Sequence, residues 1–249
     1  MKTLTTQLYY DELIIELLVT VAMADKDEIM RYLRVKRVDL ELTPIKPHDV
    51  VLDVGCGFGQ DCVLFSKWGC FAVGVDISKD FLRIKKLLKD LATLNFVRAS
   101  AFKLPFRDGS FDVVVSYSAI EHTSKNYLEW VKEMKRATKK SGYVTITTSN
   151  RLNVLLVIPS KIKNMYMRKK YKRRHLEQFF VPKEFRQMID AVGLKMIKCD
   201  SCGLYYHSYP LTPFVKINKC AEDIAFVVEQ KLKALRRLGG RMGFLCLNI

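Results

Sequence analysis

The stretch Val50-Val51-Leu52-Asp53-Val54-Gly55-Cys56-Gly57-Phe58-Gly59-Gln60 decides the fold. Val50–Val54 is apolar except for Asp53, and it is too apolar to alternate faces, as expected of a strand buried on both sides in a parallel sheet. Three glycines at alternate positions then break the run, and a helical pattern over Gln60–Trp68 follows, stopping at Gly69. The reading is strand, glycine turn, helix.

Two acids frame this unit. Asp53 sits at the strand end, and Asp76 closes the next apolar run, Phe71-Ala72-Val73-Gly74-Val75-Asp76. A glycine turn lets a ligand lie directly against the main chain. With an acid some 20 residues on, this is the general nucleotide-binding layout, in which the acid takes the ribose hydroxyls. The details argue against a dinucleotide. The spacing is G-x-G-x-G, Gln60 stands where a further glycine would be needed, and Asp53 would repel a pyrophosphate. A cationic ligand carrying an adenosine suits an acid at each end of the loop, and S-adenosylmethionine (SAM), with its sulfonium and ammonium, is such a ligand.

Outward from this unit, strands and helices alternate. Ser78 is placed to cap a helix over Lys79–Ala92. Phe96–Ala99 reads as a third strand, and Phe111–Ser116, after the Asp108-Gly109 turn, as a fourth. Tyr127–Lys139 reads as an amphipathic helix, Tyr143–Thr148 as a fifth strand, Lys183–Val192 as a helix after Pro182, Leu194–Lys198 as a sixth strand and Met242–Leu247 as a last one. The pattern predicts an α/β protein with a Rossmann-like, doubly wound sheet. Apolar residues at helical spacing over 4–24, with a second short helix over Glu28–Val35, predict an N-terminal helical unit. The expected division is 1–43 as a helical cap, 44–150 as the nucleotide-binding core, and 151–249 as completion of the sheet with basic insertions.

VLDVGCGFGQD, VGVDIS and LPFRDGSFDVVVSYSAIEH, in that order, resemble the motifs of class I SAM-dependent methyltransferases. The branch that includes the ubiquinone/menaquinone-biosynthesis methyltransferases is the most similar. The resemblance covers residues 40–150 well and 175–200 loosely. It implies a seven-stranded sheet whose last strand is antiparallel, and a cap over the substrate pocket. It implies that Asp53 attracts the methionine ammonium, and that Gly55, Cys56, Gly57 and Gly59 line the methionine and ribose. Asp76 would take both ribose hydroxyls, a carboxylate having two acceptor oxygens, and Ile77 would cover one adenine face. Family members usually place an aspartate at the position of Ser100. Serine still accepts from the adenine amino group, though without charge, while the Ala101 N–H reaches a ring nitrogen and Phe102 offers a face. Ser116 and Tyr117 end the fourth strand, where open α/β sheets place ligands. Glu121-His122 matches an E-H pair of this branch. Methyl transfer is an in-line displacement that needs chiefly alignment, and where the acceptor is protonated His122 is the candidate base. His175 and His207 are weaker candidates in the substrate region. The same residues also have structural readings: Asp53 and Asp76 as caps at strand ends, and His122 as a partner for a helix start.

The formal net charge is +16. Residues 1–150 carry 22 Lys/Arg against 19 Asp/Glu, and residues 151–249 carry 20 against 7. The excess therefore lies in the C-terminal part, whose partner is expected to be acidic. Eight cations fall within Lys161–Arg174, interleaved with Ile162, Met165, Tyr166, Met167 and Tyr171. Three readings are open for this run: a solvated charged face, a peripheral contact with anionic membrane, or RNA stacking on the tyrosines. No apolar run approaches the roughly 18–20 residues a membrane span needs, and Met1-Lys2-Thr3-Leu4 does not begin a signal peptide. Seven scattered cysteines fit reduced thiols and a cytoplasmic location. Cys199-x-x-Cys202 lacks a second pair or a histidine at ligand spacing, so no metal is expected. The resulting expectation is a SAM-dependent methyltransferase acting on oxygen or carbon of a small or lipid-like acceptor. The alternatives are an RNA or protein methyltransferase, or a degenerate SAM-fold binding subunit.

Overall fold

The structure, a computed structural model, describes residues 39–79, 93–123, 127–153, 178–202 and 238–249, with Val228 and Lys231. The helices expected within 4–35 and, beyond Lys79, over 80–92 lie outside these residues, as do the basic run 161–174, His175 and His207.

Seven strands form one sheet. They are β1 (Val50–Val54), β2 (Phe71–Asp76), β3 (Leu94–Arg98), β4 (Phe111–Tyr117), β5 (Thr138–Ser149), β6 (Leu194–Cys202) and β7 (Arg241–Asn248). Among the described residues the α-helices between them are α1 (Gln60–Lys67), α2 (Tyr127–Ala137) and α3 (Pro182–Val192). The strand order is β3-β2-β1-β4-β5-β7-β6. β1 to β5 are mutually parallel, while β7 runs antiparallel to both β5 and β6. The strand order reverses at β1, between β2 and β4, and ligands of open α/β sheets bind outside the carboxyl ends at such a reversal. The α/β class is as the sequence pattern predicts, and the antiparallel last strand is as the family resemblance implies.

The near-continuous apolar run of β1 has its physical cause here. Val51 packs toward Leu64, Phe65 and Leu40 on one face, and Leu52 and Val54 pack toward Val131, Met134 and Ile120 on the other. All three strand residues are fully buried. On the second face Phe185 of α3 stacks on Phe244 of β7, with ring centroids 4.4 Å apart at 10°.

Some element bounds differ from the sequence reading. α2 ends at Ala137 rather than Lys139, because Thr138 turns its hydroxyl back onto the Met134 carbonyl at 2.7 Å and stands opposite Phe111 as the first residue of β5. Ser141, in the left-handed region at φ 60°, lies in the irregular stretch between this pairing and Tyr143 opposite Val113. β3 begins two residues earlier than expected, at Leu94. β6 runs to Cys202, so Cys199 and Cys202 stand at positions of opposite parity within one strand.

Candidate functional site

The loop between β1 and α1 is fastened to β2 first by backbone. The Gly55 and Cys56 N–H groups both donate to the Val75 carbonyl, at 2.8 and 3.0 Å. Gly59 N–H donates to the Cys56 carbonyl at 2.8 Å, closing the turn from which α1 starts. Gly55 and Gly57 need their glycines for different reasons. At Gly55 (φ 81°) a Cβ would fall 2.4 Å from the Ala119 Cβ and 3.3 Å from Cζ2 of Trp130, so the loop rests directly on the chain leaving β4 and on α2. At Gly57 (φ 54°) a Cβ would meet nothing within 4 Å. The space beside Gly57 is where a ligand can lie against the main chain.

Asp76 ties the two ends of the site together. Its Oδ2 accepts from the Gly57 N–H at 2.9 Å and its Oδ1 accepts from the Ser78 N–H at 2.8 Å. The carboxylate therefore has one backbone donor on each oxygen. Two oxygens offer about four lone-pair directions, so the group can hold the loop and still accept from a diol.

Beyond Asp76, two apolar side chains stand in solvent: Ile77 at 70% exposure and Phe102 at 42%. Large apolar groups left this open at a strand's carboxyl end suit the faces of a flat heterocycle. Phe102 is held edge-on to Trp130, with centroids 5.7 Å apart at 90°. Ser100 Oγ accepts from the Phe102 N–H at 3.3 Å, closing a small turn that sets the Ala101 backbone. Arg98 Nε donates to the Ile77 carbonyl at 2.9 Å, linking the ends of β2 and β3.

Asp53 is buried, and the thiol of Cys62, one turn into α1, donates to its Oδ2 at 3.7 Å. Burial, followed by a hydrogen bond with Cys56, pushes the Cys62 thiol well above its ordinary range, so it stays protonated. Ser116 and Tyr117 behave differently from the other residues expected at the site. Ser116 is wholly buried, and the Tyr117 hydroxyl lies 2.6 Å from Thr43 Oγ1 and donates to the Asp39 carbonyl at 3.4 Å. Burial, with Asp39 second, pushes the Tyr117 phenol well above its usual range. The structure thus sets the glycine loop, Asp76, Ile77, Ser100, Ala101 and Phe102 at the carboxyl ends of β1 to β3, where open α/β sheets leave a crevice, with Asp53 buried behind the loop, and turns the Ser116 and Tyr117 side chains into the interior.

The Glu121-His122 pair divides. Both lie in a short 3-10 turn, Ile120–His122, just after Ser118, whose φ of 50° puts a non-glycine residue in the left-handed region. Glu121 turns inward: its Oε1 accepts from Ser149 Oγ at 3.4 Å, and its carbonyl accepts from the Gln178 N–H at 2.9 Å. His122 is exposed. The buried member ties β4's exit to β5 and to the segment before α3, and the exposed member stands in solvent.

Several contributors have no sequence motif of their own. Only contacts with the loop, its acid or Phe102 reveal Trp130, Ala119 and Cys62. Glu133 Oε2 accepts from the Leu104 N–H at 2.7 Å and pairs with Arg136, whose guanidinium also donates to the Leu104 and Phe106 carbonyls. That brace fixes the loop carrying Phe102. Among the described residues no group of three or more His, Cys, Asp or Glu is placed to hold a metal. Among the same residues no helix is long and apolar enough to cross a membrane.

This sheet order, the antiparallel last strand and the glycine loop braced by an acid at the end of β2 define the class I SAM-dependent methyltransferase fold. Residues 52–146 match the family described as methyltransferase domain. An uncharacterized protein of Methanocaldococcus jannaschii is 30% identical over 163 residues, covering 65% of this chain and 59% of that protein. The ubiquinone biosynthesis O-methyltransferase of Aliivibrio fischeri is 28% identical over 187 residues, covering 73% and 77%. Among solved structures, one from the complex between the Haloferax volcanii Trm112 methyltransferase activator and a putative methyltransferase aligns with a TM-score of 0.65 at 20% identity, covering 93% of this chain and 95% of that one. Against four curated relatives, three of them uncharacterized, the chain spans only 40% to 59% of their length.

Proposed function

We propose that this protein transfers a methyl group from SAM to oxygen or carbon of a small or lipid-like acceptor. The observation that carries the reading is Asp76, whose two oxygens hold the loops on either side of the crevice while keeping lone pairs for a ribose diol. The open space beside Gly57 and the exposed faces of Ile77 and Phe102 fit the rest of an adenosyl ligand. SAM, when bound, supplies an electrophilic methyl on a sulfonium. Asp53 would attract its ammonium, the Gly55–Gly59 backbone would line its methionine and ribose, and Ser100 and the Ala101 N–H would meet the adenine edge. His122, exposed at the exit of β4, would take the proton from an acidic acceptor. The quinone-pathway O-methyltransferase among the relatives supports an acceptor of that chemical kind.

The division into cap, core and basic completion, a cytoplasmic location, and contact of Lys161–Arg174 with anionic membrane belong to the same reading. The excess of 20 cations over 7 acids after residue 150 also supports a second one, in which the acceptor is RNA.

Calorimetric titration with SAM tests the proposal. The wild type is expected to bind, and Asp76→Ala to weaken binding by roughly 100-fold, since charge-assisted bonds to two hydroxyls are lost. A wild type that releases no heat and does not differ from Asp76→Ala overturns it. Mass spectrometry of cell extract incubated with isotope-labelled SAM then identifies the acceptor.

A further inference from the structure

We propose that Cys62 is a positioning residue that sets Asp53 for the cationic end of the ligand through an S–H···O bond. The inference rests on the methyltransferase reading. α1 starts at Gly59, the last residue of the glycine loop, and the Val63 N–H donates to the Gly59 carbonyl at 3.2 Å. The first turn of the helix is therefore fixed relative to the loop. Cys62 lies in that turn with no exposure, and its Sγ stands 3.7 Å from Oδ2 of Asp53, itself 2% exposed. Loop, helix start and acid thus form one unit, with the thiol between them.

The chemistry suits this role. A buried carboxylate is costly unless it is hydrogen-bonded, and its rotamer follows its donors. A lysine or arginine donor would neutralise Asp53. A thiol is a weak, neutral donor, so its bond bears on the direction of the carboxylate without setting a positive charge against it. Burial keeps the Cys62 proton in place, so the donor is permanent at physiological pH.

The test is SAM affinity in variants that separate donor from volume. Cys62→Val keeps the volume and removes the donor, and it is expected to raise the Kd for SAM about fivefold. Cys62→Ser restores a donor and is expected to bind within about twofold of wild type. In an Asp53→Asn background, Cys62→Val is expected to change Kd by less than about 1.5-fold, because coupled residues are not additive. Melting curves confirm that the variants are folded, and Cys62→Ala replaces Cys62→Val if the latter is not. Equal affinity of folded Cys62→Val and wild type overturns the inference, as does the same fivefold loss in the Asp53→Asn background. A wild type that does not bind SAM at all is a separate result, and it removes the methyltransferase reading together with this one.

Discussion

Arg241 Nη2 stands 2.6 Å from Asp39 Oδ2, and both side chains are buried, at 8% and 0% exposure. Arg241 opens β7 and lies opposite Ser149 of β5, so the pair sits at the carboxyl ends of the parallel strands. Its Nε and Nη2 also reach Thr147 Oγ1, at 3.3 and 3.1 Å, while Thr43 and Tyr117 extend the polar cluster across to β4. One network fastens the chain entering the sheet to its last strand, beneath the crevice. Removing one partner leaves a buried charge uncompensated, so Arg241→Met is expected to cost about 3–5 kcal/mol. Asp39→Asn combined with Arg241→Met is expected to recover most of that loss. Urea unfolding of the three proteins checks both statements, and a loss below about 1 kcal/mol in the single variant would show that the pair does not hold the two segments together.

Gly55 and Gly57 separate folding from binding. Gly57→Ala places a methyl group in open space at positive φ, so the expected cost to stability is only about 1–2 kcal/mol. That methyl occupies the room proposed for the ligand, so SAM binding should fall by more than about tenfold. Gly55→Ala drives a methyl onto the Ala119 Cβ at 2.4 Å, and its loss should appear first in thermal stability. Comparing melting temperature with calorimetric affinity for the two variants decides the matter: equal melting temperatures would remove the distinction.

The parallel strands and the glycine unit were legible because each strand is a short apolar run, and because the turn needs residues that announce themselves. Side-chain direction at the strand ends was not legible. Tyr117 ends β4 as expected, but its hydroxyl finds Thr43, 74 residues away, and is drawn into the core rather than toward the crevice. Arg241 and Asp39 lie at opposite ends of the described chain, and neither stands in a recognisable motif. Cys62 looked like any small apolar residue on a buried helix face. The start of β5 was missed for a local reason: Thr138 ends α2 and begins the strand with no intervening loop.

Glu133 gives the fold an acid-side limit. The Arg136 guanidinium, chiefly, and then the Leu104 N–H hold its carboxyl below the ordinary range against the opposing effect of burial, and the side chain is 19% exposed. A carboxyl with a depressed folded value adds stability that is present above the unfolded value, about 4.3, and is lost as pH falls through the folded value. Denaturant midpoints should therefore be flat with respect to this group above about pH 5.5 and decline below about pH 4.5. Glu133→Gln should be less stable than wild type at neutral pH and should lose less on acidification. Parallel curves for the two proteins between pH 3 and pH 6 would show that Glu133 does not carry this dependence.

Ser100 is where the adenine end of the site can be improved. Its hydroxyl accepts from the Phe102 N–H two residues on, a turn that aspartate forms as readily as serine. Ser100→Asp should therefore keep the Ala101 backbone and the Phe102 ring in place while adding a charged acceptor toward the adenine amino group. A hydrogen bond to a charged partner is worth about 1 kcal/mol more than its neutral counterpart, so affinity for SAM should rise about fivefold. The gain should be absent for the analogue in which a carbonyl replaces the adenine amino group, because a carboxylate has nothing there to accept. Calorimetry with the two ligands on both proteins measures the difference directly. An equal gain for both ligands would assign the effect to the added negative charge beside a cationic ligand, and no gain for either would mean that residue 100 does not face the adenine edge.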